Sequence, residues 1–362
     1  MKRILILILL NFLVYGWGSE GHRAIGSNSV NYFNQGINNL KSWQSYLYNH
    51  SSDPDYRKNQ DPTEGQKHFI DIDEIPEFLT YKYLITRSLD SLKNKYNYTD
   101  YQISQIGILP WAINATYDSL VKYFKLNDLN KAQYFAADIS HYIADAHMPL
   151  HITKNYDGQY TSQKGIHSRY ESTMISYYSS QIKFYPIETS SINNIKNYTF
   201  SYIFENYKYI DSLLQADLYA KSFDASYGNI YYTTLWSKTS NFTTKLWNLA
   251  AQRIAEYIYT AYQHSILSTE NKEEIKDFVI FPPYPNPFNP QTNISFINIK
   301  SSFVSIKIYD LTGREILKLY EGNLNPGYHN FVVDGSNISS SIIFFNIQID
   351  RKYYTGKLLL LK

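Results

Sequence analysis

Apolar residues recur every three or four positions from Trp17 to about Leu267. That spacing turns one face of a helix toward a core, and Gly and Pro fall mostly between the periodic segments. The clearest segments are Tyr117–Phe124, Ala132–Ala146, Ile203–Leu218 and Leu246–Tyr262. The pattern predicts a mainly α domain over residues 17–267.

The pattern changes to a period of two near the C-terminus. Val304–Tyr309 alternates along the chain and leads into a turn at Asp310–Gly313. Such alternation is typical of a strand with one buried face. Further segments of this kind are Leu317, Tyr328–Val333, Ile342–Ile349 and Leu358–Leu361. Residues 281–362 are therefore predicted to form a small all-β sandwich. The charged residues before it, 268–280, are predicted to be a linker.

The first sixteen residues have the pattern of a secretory signal peptide. Lys2 and Arg3 precede an apolar run that ends at Tyr15, and the small residue Gly16 follows. The run is too short to span a bilayer, which takes roughly 20 residues. We expect residues 1–16 to be removed, so that Trp17 becomes the new N-terminus of an exported chain.

Charge and cysteine content narrow the choice of function. The 362-residue chain has a formal net charge of +2, and removing Lys2 and Arg3 brings it to about zero. A balanced charge argues against broad electrostatic capture of nucleic acid, although a local patch remains open. The chain has no cysteine. An exported domain of this composition must be held by packing or by metal ions rather than by disulfides.

Two pairs of potential metal ligands lie close together in the middle of the chain. His141 and Asp145 form one pair, His167 and Glu171 form the other, and His151 lies between them. Residues at i and i+4 share a helix face, so each pair can present an imidazole and a carboxylate to one ion. Zinc accepts both ligand types. Either pair alone is typical of a solvated polar face, but the two together with His151 favour a metal site.

More ligand types precede this cluster. Cleavage before Trp17 would free an α-amine, which can chelate an ion together with its own carbonyl, and His22 is near enough in sequence to reach the same ion. Asp53, Asp55 and His68 add carboxylates and an imidazole. Each has an ordinary structural interpretation, because Asp-Pro-Asp is common in turns. Asp53 and Asp55 are equally acidic, and the choice between them stays open.

The predicted β domain resembles the C-terminal sorting domain of the type IX secretion system. The motifs that carry the resemblance are Tyr284-Pro-Asn-Pro-Phe-Asn-Pro290, Ile308–Glu315, Pro326–His329, Asp334-Gly335 and Lys357–Lys362. Ser341 departs from the family pattern, which usually has glycine there. The resemblance implies passage through the periplasm and outer membrane, contact with the type IX machinery, and a final state that is secreted or attached to the cell surface. A carbohydrate-binding or adhesive β-module is the alternative.

The helical region is similar to the trinuclear-zinc superfamily, which contains bacterial zinc-dependent phospholipases C and fungal and plant single-strand nucleases. The similar motifs are Trp17-Gly-Ser-Glu-Gly-His22, His68-Phe-Ile-Asp71, His141–His151 and His167–Glu171. The resemblance implies a phospholipase C/nuclease-like helical fold and three zinc ions per chain. The implied ligand sets are Asp55, His68, His141 and Asp145 for one ion; His151, His167 and Glu171 for a second; and the amine and carbonyl of Trp17, His22 and the other oxygen of Asp145 for a third.

This resemblance implies a zinc-dependent phosphodiesterase that hydrolyses its substrate with a metal-activated water, Asp55 accepting the water's proton. Gly165–Glu171 resembles the Phe-His-Ser-Lys-Tyr-Glu motif of the phospholipases, and Glu20 and Tyr56 fall where those enzymes hold a choline headgroup. A carboxylate and an aromatic ring both attract an ammonium. We therefore expect a phospholipase C-like enzyme.

Two alternatives stay open. The spacing from Trp17 to His22 and the His-Phe-Ile-Asp motif are nuclease-like, and Gly65 and Gln66 occupy the place of a third aromatic wall. A single-strand-specific nuclease or 3′-nucleotidase is the first alternative, with single-stranded nucleic acid in place of phospholipid. The second is a secreted, non-catalytic protein that zinc merely staples. No stable protein partner is implied by any of these.

Overall fold

The structure is a computed structural model, and it describes residues 17–82, 85–267, 278–281, 283–298 and 300–362. The predicted signal peptide, residues 1–16, lies outside the described residues, and so does 268–277 of the predicted linker. The chain divides into two compact units, one within Met1–Asn271 and the other within Lys272–Lys362.

The N-terminal unit is helical. Its α-helices are α1 (Gly18–Ser29), α2 (Gln44–His50), α3 (Asp53–Arg57), α4 (Phe78–Tyr81), α5 (Leu89–Tyr96), α6 (Asp100–Ile106), α7 (Leu109–Lys125), α8 (Leu129–Asp145), α9 (Ile166–Ser168), α10 (Ile175–Tyr178), α11 (Ile195–Asn206), α12 (Lys208–Phe223) and α13 (Asn229–Leu267). Short 3₁₀ turns occupy Val30–Tyr32, Gln35–Trp43, Gly65–His68, Ile72–Glu74, Pro149–His151 and Ser179–Gln181. The predicted mainly α domain is confirmed.

Helix α8 runs through the middle of this unit, and its burial increases toward its C-terminal end. The side chain of Asp128 caps its N-terminus by accepting a hydrogen bond from the backbone N–H of Lys131 at 3.1 Å. The first two turns are amphipathic, whereas every residue from Ala136 to Asp145 is buried. A helix buried on all sides must find partners for its polar side chains. The polar groups at its C-terminal end therefore face other protein groups rather than water.

A second helical stretch changes its winding part-way along. Helix α9 continues into a π-helical segment, Arg169–Met174, and then into α10. π-Helical turns are rare and occur often at functional sites. His167 and Glu171 lie on the two sides of the point where the winding changes.

The C-terminal unit is a sandwich of two antiparallel sheets. Its strands are β1 (Phe278–Ile280), β2 (Gln291–Asn298), β3 (Ser302–Tyr309), β4 (Glu315–Leu324), β5 (Gly327–Asp334), β6 (Ser341–Ile349) and β7 (Lys352–Leu360). The order in one sheet is β1-β2-β5, and in the other it is β4-β3-β6-β7. Alternate residues of β2 and β6 are buried, as a period of two requires. The predicted all-β domain is confirmed.

None of the helices among the described residues is long and apolar enough to cross a membrane.

Candidate metal centre

The C-terminal end of α8 carries the middle of the site. His141 and Asp145 lie one turn apart and are fully buried, with His141 Nε2 at 3.2 Å from Asp145 Oδ2. His68, at the end of a 3₁₀ turn, approaches both, since its Nδ1 lies 2.9 Å from His141 Nε2 and 3.0 Å from Asp145 Oδ2. Three ligand atoms thus face one small space.

The structure distinguishes Asp53 from Asp55. Asp55 is fully buried, and its Oδ1 lies 3.6 Å from His141 Nε2 and 3.7 Å from His68 Nδ1. Asp53 instead pairs with the ring of His50 at 2.8 Å, and its side chain is 39% exposed. Asp55 therefore joins the cluster around α8, and Asp53 faces away from it.

A second group of ligand atoms comes from His151, His167 and Glu171. The Nε2 atoms of His151 and His167 are 3.2 Å apart, and Glu171 Oε2 lies 3.0 Å from the second and 3.5 Å from the first. All three side chains are buried. The i, i+4 spacing of His167 and Glu171 survives the local π-helical winding, so both side chains reach the same point.

Backbone carbonyls fix the orientation of three of these imidazoles. In each ring Nδ1 lies within hydrogen-bond distance of a carbonyl oxygen: His141 with Ser51 (2.7 Å), His151 with His68 (2.7 Å) and His167 with Tyr156 (2.9 Å). A carbonyl only accepts, so Nδ1 must carry the proton, and in the neutral ring the Nε2 lone pair points into the cluster. This arrangement is the usual support of metal-ligating histidines.

The donor set fits zinc. His151 Nε2 and His167 Nε2 face each other at 3.2 Å, and in the neutral rings neither has a proton to share with the other. Two such lone pairs repel unless a cation lies between them. Ligands at about 2.0–2.1 Å from a tetrahedral zinc ion are about 3.3–3.4 Å apart. The separations in this group, from 3.0 to 3.5 Å, bracket that value.

His22 and Asp145 connect the groups. The His22 ring stacks on His141 with centroids 3.8 Å apart, and its Nε2 lies 3.4 Å from Asp145 Oδ1. Asp145 Oδ1 is also 3.3 Å from His151 Nδ1, while its Oδ2 faces the first group. Within the described part of the chain, neither ring nitrogen of His22 has a hydrogen-bond partner. The two carboxylate oxygens of Asp145 thus serve different ligand groups.

Trp17 lies at the wall of the site. Its indole is fully buried, and Nε1 donates to the backbone oxygen of Ala144 at 2.9 Å, one residue before Asp145. Its own backbone oxygen accepts from Gly21 N–H at 3.1 Å. Its φ of 49° places it in the left-handed region at the start of α1. The predicted ligand role of its amine depends on cleavage at residue 16 and stays a prediction.

A cavity of about 340 Å³ opens beside the ligands. Trp17, Glu20, Tyr56 and Glu171 all contribute to its lining. The predicted headgroup residues and a predicted ligand therefore share one space. Tyr56 is 47% exposed.

The carboxylates of the site are held in their charged form. Burial alone raises the pKa of Asp145, but the positive charges of His141 and His151 outweigh this and hold it well below its usual value. For Asp55 burial also raises the pKa, and the charges of His141 and Lys58 bring the net shift below the usual value. Buried anions of this kind require a cation nearby.

The pKa values of four histidines of the cluster shift in different directions. Burial is the main cause that lowers the pKa of His22 and of His68. Burial also lowers the pKa of His141 and His151, but Asp145, together with Asp55 for His141 and Glu171 for His151, outweighs burial, so both end above their usual value. Protons on these rings would compete with a metal ion for the same lone pairs, which makes metal affinity depend on pH.

Lys58 is a residue of the site that the sequence argument missed. Its Nζ lies 2.7 Å from Asp55 Oδ1, and its side chain is only 13% exposed. The available signal was its position three residues after Asp55, a spacing that brings two side chains together across one helical turn. It was overlooked because a single lysine after an acidic turn is ordinary surface composition.

His147 lies outside the ligand groups. Its Nδ1 is 2.8 Å from the backbone oxygen of Ile143, its ring stacks on Tyr202, and burial lowers its pKa to about 3. The side chain is fully buried.

Comparison with known proteins identifies the C-terminal unit. Residues 283–361 match the family model of the secretion system C-terminal sorting domain. This unit is a sorting domain. The protein is therefore exported, to be secreted or attached to the cell surface, and it interacts with the secretion machinery. The sequence-based identification of this domain is confirmed. No curated protein matches the chain in sequence.

Two solved structures align with nearly the whole chain. An alpha-toxin from Clostridium absonum covers 95% of this chain and 95% of its own, with 12% identity and a TM-score of 0.45. An alpha-toxin from an avian strain of Clostridium perfringens covers 95% of this chain and 97% of its own, with 14% identity and a TM-score of 0.47. At these identities and scores neither alignment assigns a function to the chain.

Proposed function

We propose that residues 17–267 form a zinc-dependent phosphodiesterase, joined by the linker 268–280 to the sorting domain and released from the signal peptide 1–16. The observation that carries this proposal is the set of buried ligand groups that meet at Asp145 and adjoin an open cavity. A purely structural zinc site is closed, whereas a catalytic site keeps a position open to its substrate.

The proposed assignment of ions follows the contacts. One ion takes Asp55, His68, His141 and Asp145, and a second takes His151, His167 and Glu171. The third takes the amine and carbonyl of Trp17 with His22 and the other oxygen of Asp145. The supporting observation is that ligand atoms lie within 4.8 Å of one another in each of three groups: His22, Asp55 and His141; His68, His141 and Asp145; and His151, His167 and Glu171.

The chemistry follows from this donor set. Zinc, when bound, acidifies water and withdraws charge from phosphoryl oxygens. Asp55 orients the attacking water and accepts its proton at a carboxylate oxygen. The lowered pKa of Asp55 makes it a weak base, so it holds this proton only transiently. Lys58, beside Asp55, supplies a fixed positive charge that stabilises negative charge developing on the phosphoryl group.

For the substrate we propose a phospholipid with a cationic headgroup. Glu20 and Tyr56 line the cavity beside Glu171, so a carboxylate and an aromatic face are available to an ammonium next to the reacting phosphate. This arrangement predicts hydrolysis of phosphatidylcholine and of p-nitrophenyl phosphorylcholine. Glu20→Gln and Tyr56→Leu should each raise KM for the choline substrate about 5- to 20-fold, corresponding to about 1–2 kcal/mol of lost cation attraction.

The matched control for Tyr56→Leu is Tyr101→Leu, which removes an exposed ring that does not line this cavity. It should leave KM unchanged. Equal KM values for Tyr56→Leu and Tyr101→Leu would contradict the headgroup assignment. A parallel assay with single-stranded DNA decides between the two enzyme classes.

One observation favours the nuclease alternative. Tyr156, 46% exposed, places its ring 6.3 Å from that of His167, where it offers a stacking face to a base beside the ligand group. Base stacking on an aromatic ring contributes about 1–3 kcal/mol. If single-stranded DNA is the better substrate and Tyr156→Leu selectively lowers its hydrolysis, the nuclease assignment replaces the phospholipase one. If the metal-loaded chain cleaves neither substrate, the catalytic assignment fails and the zinc-stapled, non-catalytic alternative is favoured.

A further inference from the structure

Arg169 stands between His167 and Glu171 in sequence but contacts neither of their ligand atoms. It is 9% exposed, and its Nε donates to the hydroxyl of Tyr231 at 3.0 Å. One terminal nitrogen donates to Asp217 Oδ1, also at 3.0 Å. The guanidinium also lies over the ring of Tyr227, 4.1 Å from its centroid.

The same guanidinium holds the loop that precedes His167. Its terminal nitrogens donate to the backbone oxygens of Lys164 at 3.0 Å and Gln163 at 3.1 Å. The side chain of Gln163 in turn donates to Asp217 Oδ2 at 2.7 Å. Both oxygens of Asp217, a fully buried residue, are therefore occupied by this connection.

These contacts join four parts of the unit: the loop before α9, the π-helical segment, α12 through Asp217, and α13 through Tyr231. We infer that Arg169 and Asp217 form a clamp that positions His167 and Glu171 for metal binding. This inference rests on the proposed metal centre. Arg169 is a positioning residue, since it acts through its two neighbours.

The geometry of the ligands explains why a clamp is needed. His167 and Glu171 come from a short helical stretch, while the third member of their group, His151, comes from a separate 3₁₀ turn. A shift or rotation of the stretch by about 1 Å would move both ligands relative to His151. Groups that support metal ligands typically change metal affinity about 10- to 100-fold when removed.

Arginine suits this position better than lysine. Its planar fork donates in several fixed directions at once, whereas a lysine ammonium is a point charge on a flexible stem. Arg169→Lys should therefore retain the charge next to Asp217 but lose the bonds to Tyr231 and the loop. We expect the zinc affinity of Arg169→Lys to lie between that of wild type and that of Arg169→Met.

The test measures zinc affinity by competition with a chromophoric chelator, using the full mature chain at constant pH. Arg169→Met and Asp217→Asn should each weaken one of the bound ions about 10- to 100-fold and leave the others unchanged. Tyr231→Phe, the mildest variant, should weaken the same ion only a few-fold. Tyr231→Phe tests the clamp if Arg169→Met and Asp217→Asn fail to fold.

The matched control is Arg253→Met. Arg253 is also mostly buried; it forms an ion pair with Glu256 at 3.1 Å and lies over the ring of Tyr198, and neither partner is a proposed zinc ligand. It should lower thermal stability and leave every zinc affinity unchanged. If all folded variants at positions 169, 217 and 231 retain wild-type affinities, the clamp is refuted.

Failure of the clamp and failure of the proposed function give different results. A wild-type chain that binds zinc and loses one affinity in these variants, yet hydrolyses no phosphodiester, supports the clamp and refutes the enzyme. A wild-type chain that hydrolyses phosphodiesters with affinities unaffected by the variants supports the enzyme and refutes the clamp. A wild-type chain that binds no zinc refutes both.

Discussion

Replacing Asp145 by asparagine should remove more than one ion at once. Asp145 is fully buried; its Oδ2 lies 3.2 Å from His141 Nε2 in the first ligand group, and its Oδ1 lies 3.4 Å from His22 Nε2 in the proposed third set. Asparagine has nearly the same shape but lacks the charge and one acceptor oxygen. The substitution therefore weakens both ligand groups while changing the packing little.

The expected loss of zinc affinity follows from the number of ligands that share the binding free energy. A structural zinc site binds with about 10–16 kcal/mol spread over four ligands, or about 2.5–4 kcal/mol for each. At about 1.4 kcal/mol for each factor of ten, Asp145→Asn should weaken each of two ions roughly 100- to 1,000-fold. Glu171→Gln, which touches one group only, should weaken a single ion.

The assay is zinc content by elemental analysis after dialysis against a series of buffered free-zinc concentrations. The control is Asp138→Asn, since Asp138 is also buried on α8 but is paired with Arg57 at 2.9 Å rather than with the histidine ligands. Asp138→Asn should cost stability and keep all ions. An Asp145→Asn protein with wild-type zinc content at every concentration would refute the shared-ligand assignment.

Three further predictions concern charge, metal and pH. Lys58→Met should lower kcat/KM about 10- to 100-fold and leave the zinc content unchanged. The control Lys122→Met, on the outer surface, should change neither quantity. A loss of zinc from Lys58→Met would show that Lys58 acts through the metal sites instead. Zinc added to the chelator-treated chain at about 1,000 times its Kd should raise the free energy of unfolding by about 4 kcal/mol per ion. Urea unfolding measures this change. An unchanged free energy of unfolding would rule out zinc binding to the folded state. Burial, followed by the charges of Asp73 and Glu74, raises the pKa of Asp71 from 3.8 to about 7. The protonated carboxyl therefore stabilises the fold fully below about pH 4, and this contribution is lost as the pH rises through about 7. Between pH 4 and pH 8 the free energy of unfolding of Asp71→Asn should rise by up to about 4 kcal/mol relative to that of wild type. Equal pH dependence in the two proteins would contradict this.

Periodicity sufficed to predict the two fold classes, because a spacing of 3.6 or 2.0 residues follows directly from the burial of one face. It also predicted that His141 and Asp145 would face the same point. The choice between Asp53 and Asp55 could not be made in this way, since it depends on which side of α3 faces α8. That is a tertiary contact between segments far apart in sequence.

The support around the ligands was likewise inaccessible to sequence patterns. Arg169 meets Asp217 48 residues later in the chain, and no local spacing signals such a contact. The change to π-helical winding after α9 has no simple sequence signature either. For Lys58 the sequence showed the i+3 spacing from Asp55, but it gave no sign that the side chain would be buried.

The most direct test of the central claim is hydrolysis of bis(p-nitrophenyl) phosphate by the mature chain starting at Trp17, measured as zinc is removed and restored. The account predicts that activity falls to background on chelation and returns in proportion to zinc occupancy. It also predicts that an additional residue before Trp17 removes one ion and most of the activity. Hydrolysis that persists without zinc, or a fully zinc-loaded chain that leaves the diester intact, would contradict the account.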